Sequence, residues 1–590
     1  MICDIPYKFL FYTSGARNMQ LIEFRACLAK FIIGLLVMTI AACSEGRPTQ
    51  GDPKTEPASD RSAVSKRPPN FLVVLADDLG YSDLGFMGGE IATPHLDDLA
   101  RKGVTFTNFH ASPTCSPSRA MLLTGTDAHT AGLGNMAMTM APNQVGQAGY
   151  EGHLSQSVVT IASLLRVNGY DTHMAGKWHL GIAPGQKPSD RGFDKSFAIA
   201  LGGGHFTNLG LIGPSNAESI YLEDGERVTL PEDFYSSRSY VNKLIKDIGE
   251  RDSERPFFAY LSFTAPHWPL QAPAETIEKY RGKYDDGFAA LQIARLGRMK
   301  ALGLVAQDLE MDPTDLDSAW TSLSVESRRR AARTMEVYAA MIDELDSNLG
   351  RLLRYLEDTG ESDNTVVVFL SDNGAAGQNV SDFWGDMLQD YLAECCDNSY
   401  ENMGAADSYL WTGPFWARAS STPFRLFKGF PTEGGLRVPA LIYDPRATGA
   451  PRRSDDLASI MDIAPTLMEM AGIDEMPATF DGRDVAPMEG TSLQPYLTAA
   501  TDSIRDGEEG IGWELFGRRA FIQGQWKVLS LAGTDGLEAW GLYDLQADPG
   551  ELNDLATQDP ERAEALVSGW EAYSESHNVI LPNTSVMPGL

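Results

Sequence analysis

Cysteine is scarce in this chain, with six residues in 590. Cys3 and Cys27 lie near the start, Cys43 and Cys115 stand alone, and Cys395-Cys396 are adjacent. Six cysteines so placed exclude a disulfide framework, so a fold of this length must be held by its hydrophobic core. The adjacent pair can form a vicinal disulfide or stay reduced, and the sequence leaves both open. Positive charge is also short: 48 Lys and Arg face 80 Asp and Glu, for a formal charge of −32. That balance argues against a nucleic-acid partner. It also disfavours a long polyanion lying across the surface, while a small anion entering a locally positive pocket remains compatible. Long apolar runs are missing too. The one candidate, residues 31–42, is too short to span a bilayer as a mature helix. There are no internal repeats.

That short run reads instead as an export signal. Arg25 and Lys30 precede it as a positive region, and Ile40-Ala41-Ala42-Cys43 closes it. The closing tetrapeptide resembles a bacterial lipobox, in which cleavage leaves Cys43 as a lipidated N-terminus. A plain secretory signal cut after Ala42 is the other reading. Residues 44–69 are rich in Pro, Ser, Thr and charge and read as a disordered tether. The expected organisation is a lipoprotein-type signal peptide at 1–43, with translation starting at Met1 or Met19, and the tether at 44–69. A large domain at 70–500 and a small subdomain at 501–590 follow. The expected location is the periplasm or cell surface of a bacterium, touching the membrane only through the lipid.

Two segments pair a buried-type strand with acidic residues at its end. Asn70-Phe71-Leu72-Val73-Val74-Leu75-Ala76 stops at Asp77-Asp78, and Thr365-Val366-Val367-Val368-Phe369-Leu370 stops at Ser371-Asp372-Asn373-Gly374. As neighbouring parallel strands they bring both pairs to the carboxyl edge of one sheet, where open α/β sheets hold ligands. Three aspartates and an amide oxygen, with no cysteine or histidine beside them in sequence, suit a hard cation such as Ca²⁺ or Mg²⁺. A single such pair is explained by the turn preference of Asp and Asn; two in one chain are harder to dismiss.

Between them lies Cys115-Ser116-Pro117-Ser118-Arg119, followed by a short helix pattern closed by Gly125. A chance C-x-P-x-R is expected in roughly two of a hundred such chains, so the pattern needs company. A buried structural cysteine beside a proline turn is the other reading of the pattern alone. Pro117 fits a first helical turn, and that places Cys115 at a helix N-terminus, where free N–H groups favour an anion. Basic residues recur where strand-like runs give way to Gly or Pro. They are Lys177 and His179 in Gly176-Lys177-Trp178-His179-Leu180-Gly181, His267 in Ala265-Pro266-His267-Trp268-Pro269, and Lys428 at the end of Pro423-Phe424-Arg425-Leu426-Phe427-Lys428-Gly429. On an extended segment Lys177 and His179 face the same way. Cations so placed can neutralise charge on a tetrahedral oxyanion, and a histidine can protonate a leaving oxygen.

Together these motifs, within residues 70–555, resemble the sulfatase family of the alkaline-phosphatase-like superfamily, and bacterial arylsulfatases most of all. The resemblance implies that Cys115 is oxidised by a formylglycine-generating maturation enzyme to formylglycine, whose hydrate attacks sulfur. One of its two hydroxyls takes the sulfuryl group and the other then collapses to expel sulfate. It implies one Ca²⁺ held by Asp77, Asp78, Asp372 and Asn373 and touching residue 115. Lys177 and Lys428 then bind sulfate, His267 serves the leaving group as general acid, and Arg119 and His179 lie beside the formylglycine hydroxyls. His129 and His205 match no such position. The implied activity is hydrolysis of a small sulfate ester. The alternatives are a phosphonate or phosphodiester hydrolase of the same superfamily, and a surface binder of sulfated ligands with Cys115 unconverted.

The implied fold is α/β: a large, mostly parallel mixed sheet flanked by helices, with a small C-terminal antiparallel sheet plus helix. A 3.6-residue period predicts a long helix over 326–357. Residues 383–416 are aromatic without a clear period and read as an irregular rim or surface insertion. Short strands are expected at 512–515, 519–522, 526–531 and 540–545, then a helix over 561–573. Glu433-Gly434-Gly435 and Arg437-Val438-Pro439 read as structural.

Overall fold

The computed structural model describes residues 67–201, 219–311, 316–380, 385–447, 451–531 and 539–585. The expected signal peptide, nearly all of the expected tether, His205, Phe383 and Trp384 lie outside the described residues. The chain divides into Met1–Ser62 and Ala63–Leu590, and the second unit is the one described below. Among the described residues no helix is long and apolar enough to cross a membrane.

A ten-stranded mixed sheet forms the centre. Its strands are β1 (Asn70–Ala76), β2 (Val104–Phe106), β3 (Asp171–Lys177), β4 (Lys195–Ile199), β5 (Tyr221–Glu223), β6 (Glu226–Arg227), β7 (Phe257–Ser262), β8 (Thr365–Ser371), β9 (Ala440–Tyr443) and β10 (Arg452–Ser454). Their order is β10-β2-β9-β8-β1-β7-β3-β4-β5-β6. The five central strands, from β8 to β4, are all parallel. β1 and β8 are neighbours as expected, with Ala76 opposite Ser371, so both acidic pairs leave the sheet at one edge.

The sequence of β1 explains why the sheet is covered on both faces. Leu72, Val74 and Ala76 join one apolar cluster and Phe71, Val73 and Leu75 the other. Successive side chains of a strand point to opposite faces, so a strand buried on both sides must be apolar throughout. The first cluster takes Met335, Ile342, Leu345, Leu349 and Leu352 from a 34-residue helix, Val325–Asp358, within a residue of the expected bounds. The second takes Ala120 to Leu123 from α1 (Cys115–Thr124), which Gly125 closes at φ 66°.

After residue 500 four antiparallel strands follow: β11 (Gly510–Leu515), β12 (Arg518–Gln523), β13 (Trp526–Ser530) and β14 (Gly541–Asp544), then the helix Pro560–Ser576. One face of this sheet places Ile511, Trp513, Ala520, Ile522, Leu529 and Tyr543 in the second core cluster. The other packs Phe521, Val528 and Leu542 on Leu566 and Trp570 of the helix.

A buried charge cluster ties this region to the turn after α1. The His129 Nδ1 is 2.9 Å from the Asp127 Oδ1, its Nε2 lies 3.9 Å from the Glu514 Oε2, and the Tyr573 hydroxyl donates to the Asp127 Oδ2 at 3.1 Å. Burial would lower the imidazole, but the Asp127 and Glu514 carboxylates prevail and raise it from 6.5 to about 9. A group raised on folding stabilises most below its unfolded value and loses that contribution as pH rises through its folded one. His129 is therefore expected to contribute on the order of 3 kcal/mol below about pH 6.5, lost through about pH 9. Melting temperatures of wild type and His129→Gln across that window test this: an alkaline decline of equal steepness in both proteins would dismiss it.

Candidate active site

The two strand ends are clamped together before any ligand is considered. The Ser371 hydroxyl accepts from the Leu79 N–H at 3.0 Å and donates to the Asn373 carbonyl at 2.9 Å. The Asp372 Oδ1 accepts from the Asp78 N–H at 3.1 Å. Gly374 allows the close approach: a Cβ there would lie 1.9 Å from the Gly434 carbonyl oxygen. Asp78 itself adopts a left-handed backbone at φ 64°, a conformation that Asp tolerates better than most residues and that recurs at functional sites.

Cys115 opens α1 and points at these carboxylates. Its Sγ is 3.6 Å from both the Asp77 Oδ1 and the Asp78 Oδ1, and 3.0 Å from the Lys428 Nζ. It is 1% exposed and is the free cysteine among the described residues. Burial holds the thiol well above its ordinary value despite Lys177 and Lys428. As a protonated thiol it is a poor nucleophile.

Three cations face the three aspartates. The Lys177 Nζ donates to both Asp77 oxygens at 2.8 and 2.7 Å, and the Lys428 Nζ to both Asp78 oxygens at 2.7 and 2.9 Å. Arg119 donates through Nε and Nη2 to the Asp372 Oδ2 at 3.0 and 2.7 Å, and through Nη1 to the Ser262 hydroxyl and the Lys177 carbonyl. Burial would raise the Asp78 carboxyl, but the cations beside it, Lys428 foremost, hold it well below the usual carboxylate range.

The His267 ring completes the group. Its Nε2 lies 3.5 Å from the Asp78 Oδ2 and its Nδ1 donates to the Trp268 carbonyl at 2.5 Å. Burial, reinforced by Lys177 and Lys428, pushes it down to about 3 despite Asp78. His179 is held well below its ordinary value by burial, then by Lys177, Arg119 and Lys428, and its buried Nδ1 has no hydrogen-bond partner.

The residues proposed for the site from the sequence meet here, and two local readings change. Lys177 ends β3, but His179 has a left-handed backbone at φ 59°, so the two do not share one extended segment. No strand covers 423–429: Leu426 is also left-handed at φ 59°, and Lys428 sits in a turn. Arg119 braces Asp372, Asp77 and the end of β3. The carboxylates also have Cys115 and His267 beside them, since ligand atoms of Asp77, Asp78, Cys115 and His267 all lie within 4.8 Å of one another. The sheet order explains the last point, because β7, which leads to His267, is the neighbour of β1.

The sequence did not reveal how the Lys428 turn is held. The Arg518 Nη1, from β12, donates to the Gly429 carbonyl at 2.8 Å, with the guanidinium over the Phe430 ring. Lys527, from β13 and fully buried, pairs with Glu433 and Glu551, each at 2.8 Å. Glu433 also meets His110 at 3.0 Å and Arg437 at 3.4 Å, which gives the Glu433 and Arg437 motifs their structural role.

A sequence model described as Sulfatase matches residues 69–473. The chain belongs to the sulfatase family. Similar relatives include an uncharacterized sulfatase of Schizosaccharomyces pombe, 42% identical over 539 residues that cover 89% of this chain and 96% of that protein. An arylsulfatase of Klebsiella aerogenes is 40% identical over 452 residues, covering 76% of this chain and 96% of that one. Among solved structures, the sulfatase fold is shared with Ps i-CgsB bound to k-i-k-neocarrahexaose. Its TM-score is 0.60 at 24% identity, covering 86% of this chain and 93% of that one. The phosphonate monoester hydrolase of Agrobacterium radiobacter has a TM-score of 0.53 at 21% identity, covering 86% and 96%. This sulfatase is a sulfuric ester hydrolase, and its acidic cluster is a group able to bind a metal.

Proposed function

We propose that the enzyme hydrolyses small sulfate esters of the arylsulfatase type, with Cys115 converted to formylglycine and one calcium ion at the acidic cluster. The observation that carries this reading is the placement of Cys115. It is a buried thiol at a helix N-terminus, between two aspartates and the Lys428 ammonium. A thiol there offers a single sulfur, whereas an aldehyde hydrate supplies two hydroxyls on one carbon.

The residues present fit a divalent cation. Asp77 and Asp78 bring carboxylate oxygens within 4.8 Å of the Cys115 and His267 ligand atoms, Asp372 lies against them with its Oδ1 on the Asp78 N–H, and the Asn373 Oδ1 is buried with no hydrogen-bond partner. The donor set is mainly oxygen, which favours a hard ion. Bound there, calcium supplies positive charge for a sulfate oxygen and for residue 115. A divalent cation there would add positive charge beside Lys177, Lys428 and Arg119 and would suit an anion within an acidic protein.

The chain's own groups then divide the work. Lys177 and Lys428 meet the non-bridging oxygens, where charge builds during transfer. Arg119 holds Asp372 and Asp77 in place. His267 faces the leaving oxygen. Its Nδ1–H is committed to the Trp268 carbonyl, so Nε2 carries the lone pair while the ring is neutral. A bound sulfate anion favours the imidazolium, which can then donate from Nε2. His267→Ala is therefore expected to steepen the dependence of rate on leaving-group pKa, while Lys177→Ala lowers all rates by a similar factor. Equal slopes for wild type and the His267 variant would reject the acid role.

Steady-state rates on paired aryl sulfate, phosphate and phosphonate esters test the reaction itself. Preference for sulfate is expected, and preference for a phosphorus ester would assign the site to the other branch of the superfamily. The reading includes a maturation enzyme acting on Cys115. It also includes export as a lipoprotein anchored through Cys43, supported by the run at 31–42 and the tetrapeptide that closes it.

A further inference from the structure

Sulfuryl transfer makes no use of the bond between Cys395 and Cys396. Cys395 is the last residue of the helix Asp386–Cys395, and the half-buried pair packs with Trp268, Leu392 and Trp411 around Leu388, Tyr391 and Tyr409. The rings run in a chain back to the site. Tyr409 lies 6.5 Å from Trp411, 5.8 Å from Tyr391 and 6.0 Å from Trp268, whose ring is 4.8 Å from that of His267.

The turn after the disulfide holds the segment that carries Tyr409. The Asp397 N–H donates to the Asp407 carbonyl at 3.0 Å, and the Asn398 Oδ1 accepts from the Tyr409 N–H at 2.7 Å. The sulfate end of an ester is fixed by Lys177, Lys428 and the acidic cluster. Its alcohol must then extend past His267 toward Trp268 and Trp411, the partly buried rings that pack over the buried Tyr409.

We propose that the Cys395–Cys396 disulfide and the Trp268–Tyr409–Trp411 cluster form the wall that seats the leaving group, so that this bond sets which alcohols the enzyme accepts. The proposal rests on the reading of His267 as facing the leaving group. A wall of offset rings favours planar aromatic or polycyclic alcohols, which stack on it, over small alkyl ones. The disulfide keeps the turn at 395–398 in one conformation and so keeps Tyr409 and Trp411 in register with Trp268. A dithiol reductant opens it by transferring two electrons and two protons: the S–S bond breaks, two thiols form, and the reductant closes to its own cyclic disulfide.

The test compares a polycyclic aryl sulfate with a small alkyl sulfate. Untreated enzyme, dithiothreitol-treated enzyme and Cys395→Ser/Cys396→Ser enzyme are each assayed, with thiol alkylation and mass spectrometry to verify reduction. Either change is expected to raise KM for the polycyclic ester about tenfold with kcat little altered, and to leave KM for the alkyl ester unmoved. The double variant should be indifferent to the reductant, and reoxidation of the wild type should restore its KM. Trp411→Ala, which keeps the disulfide, should raise the same KM. If the KM values for both esters shift together, or neither shifts, the wall is not where the leaving group sits. Absence of turnover with either ester in untreated enzyme is a different failure. It would refute the proposed ester-hydrolase chemistry and take this proposal with it.

Discussion

Cys115→Ser enzyme is expected to fold as wild type and to lose activity by at least about a thousandfold. Serine fits the first position of α1, and its smaller atom disturbs neither Asp77 nor Asp78. It offers one hydroxyl where the proposed hydrate offers two, so the enzyme can accept a sulfuryl group but has no second hydroxyl to expel it. The companion measurement is peptide mass spectrometry on active wild type, where the fragment containing residue 115 should carry the aldehyde or its hydrate. Full activity with an intact thiol at 115 would end the formylglycine mechanism.

Removing Asp372 is expected to have the second largest effect, through two separable causes. Asp372→Ala strips the carboxylate from Arg119, whose Nε and Nη2 both donate to it and which is fully buried. Breaking a buried ion pair from one side typically costs about 3–5 kcal/mol, so this variant should melt well below wild type. Asp372→Asn keeps the volume and an acceptor oxygen, and should fold better while losing metal affinity and at least about a hundredfold in rate. Metal content by elemental mass spectrometry, measured beside the rate, decides the matter. An Asn variant with full metal and full rate would remove Asp372 from the cation site.

What was legible in the sequence was local. β1 and β8 announce themselves because a strand buried on both faces has no room for polar residues, and the acids mark where each run stops. The long helix Val325–Asp358 shows a single apolar stripe repeated often enough to fix its ends. The segment carrying Lys428 misleads because its apolar and basic residues imitate a strand, while the chain turns at Leu426. Residues 383–416 mislead in the other direction. Their aromatics alone show no period, but Leu388, Tyr391, Leu392 and Cys395 recur at helical spacing, and the helices Asp386–Cys395 and Gly413–Ser420 form there. Arg518 and Lys527 were invisible as site supports because their partners lie 89 and 94 residues away. The one available signal was a lysine on the same face of β13 as Leu529, which joins the core.

Those two distant supports also impose an order in time. The chain is made from its amino end, so Cys115 and then Lys428 emerge long before Arg518 and Lys527. Until the late strands arrive, the turn after Lys428 lacks the guanidinium on Gly429 and the ammonium on Glu433. The turn that carries Lys428, whose ammonium lies 3.0 Å from the Cys115 Sγ, is therefore completed by residues 89 and 94 positions further along the chain than the groups they hold. The C-terminal strands are thus the last supports of the site to be made.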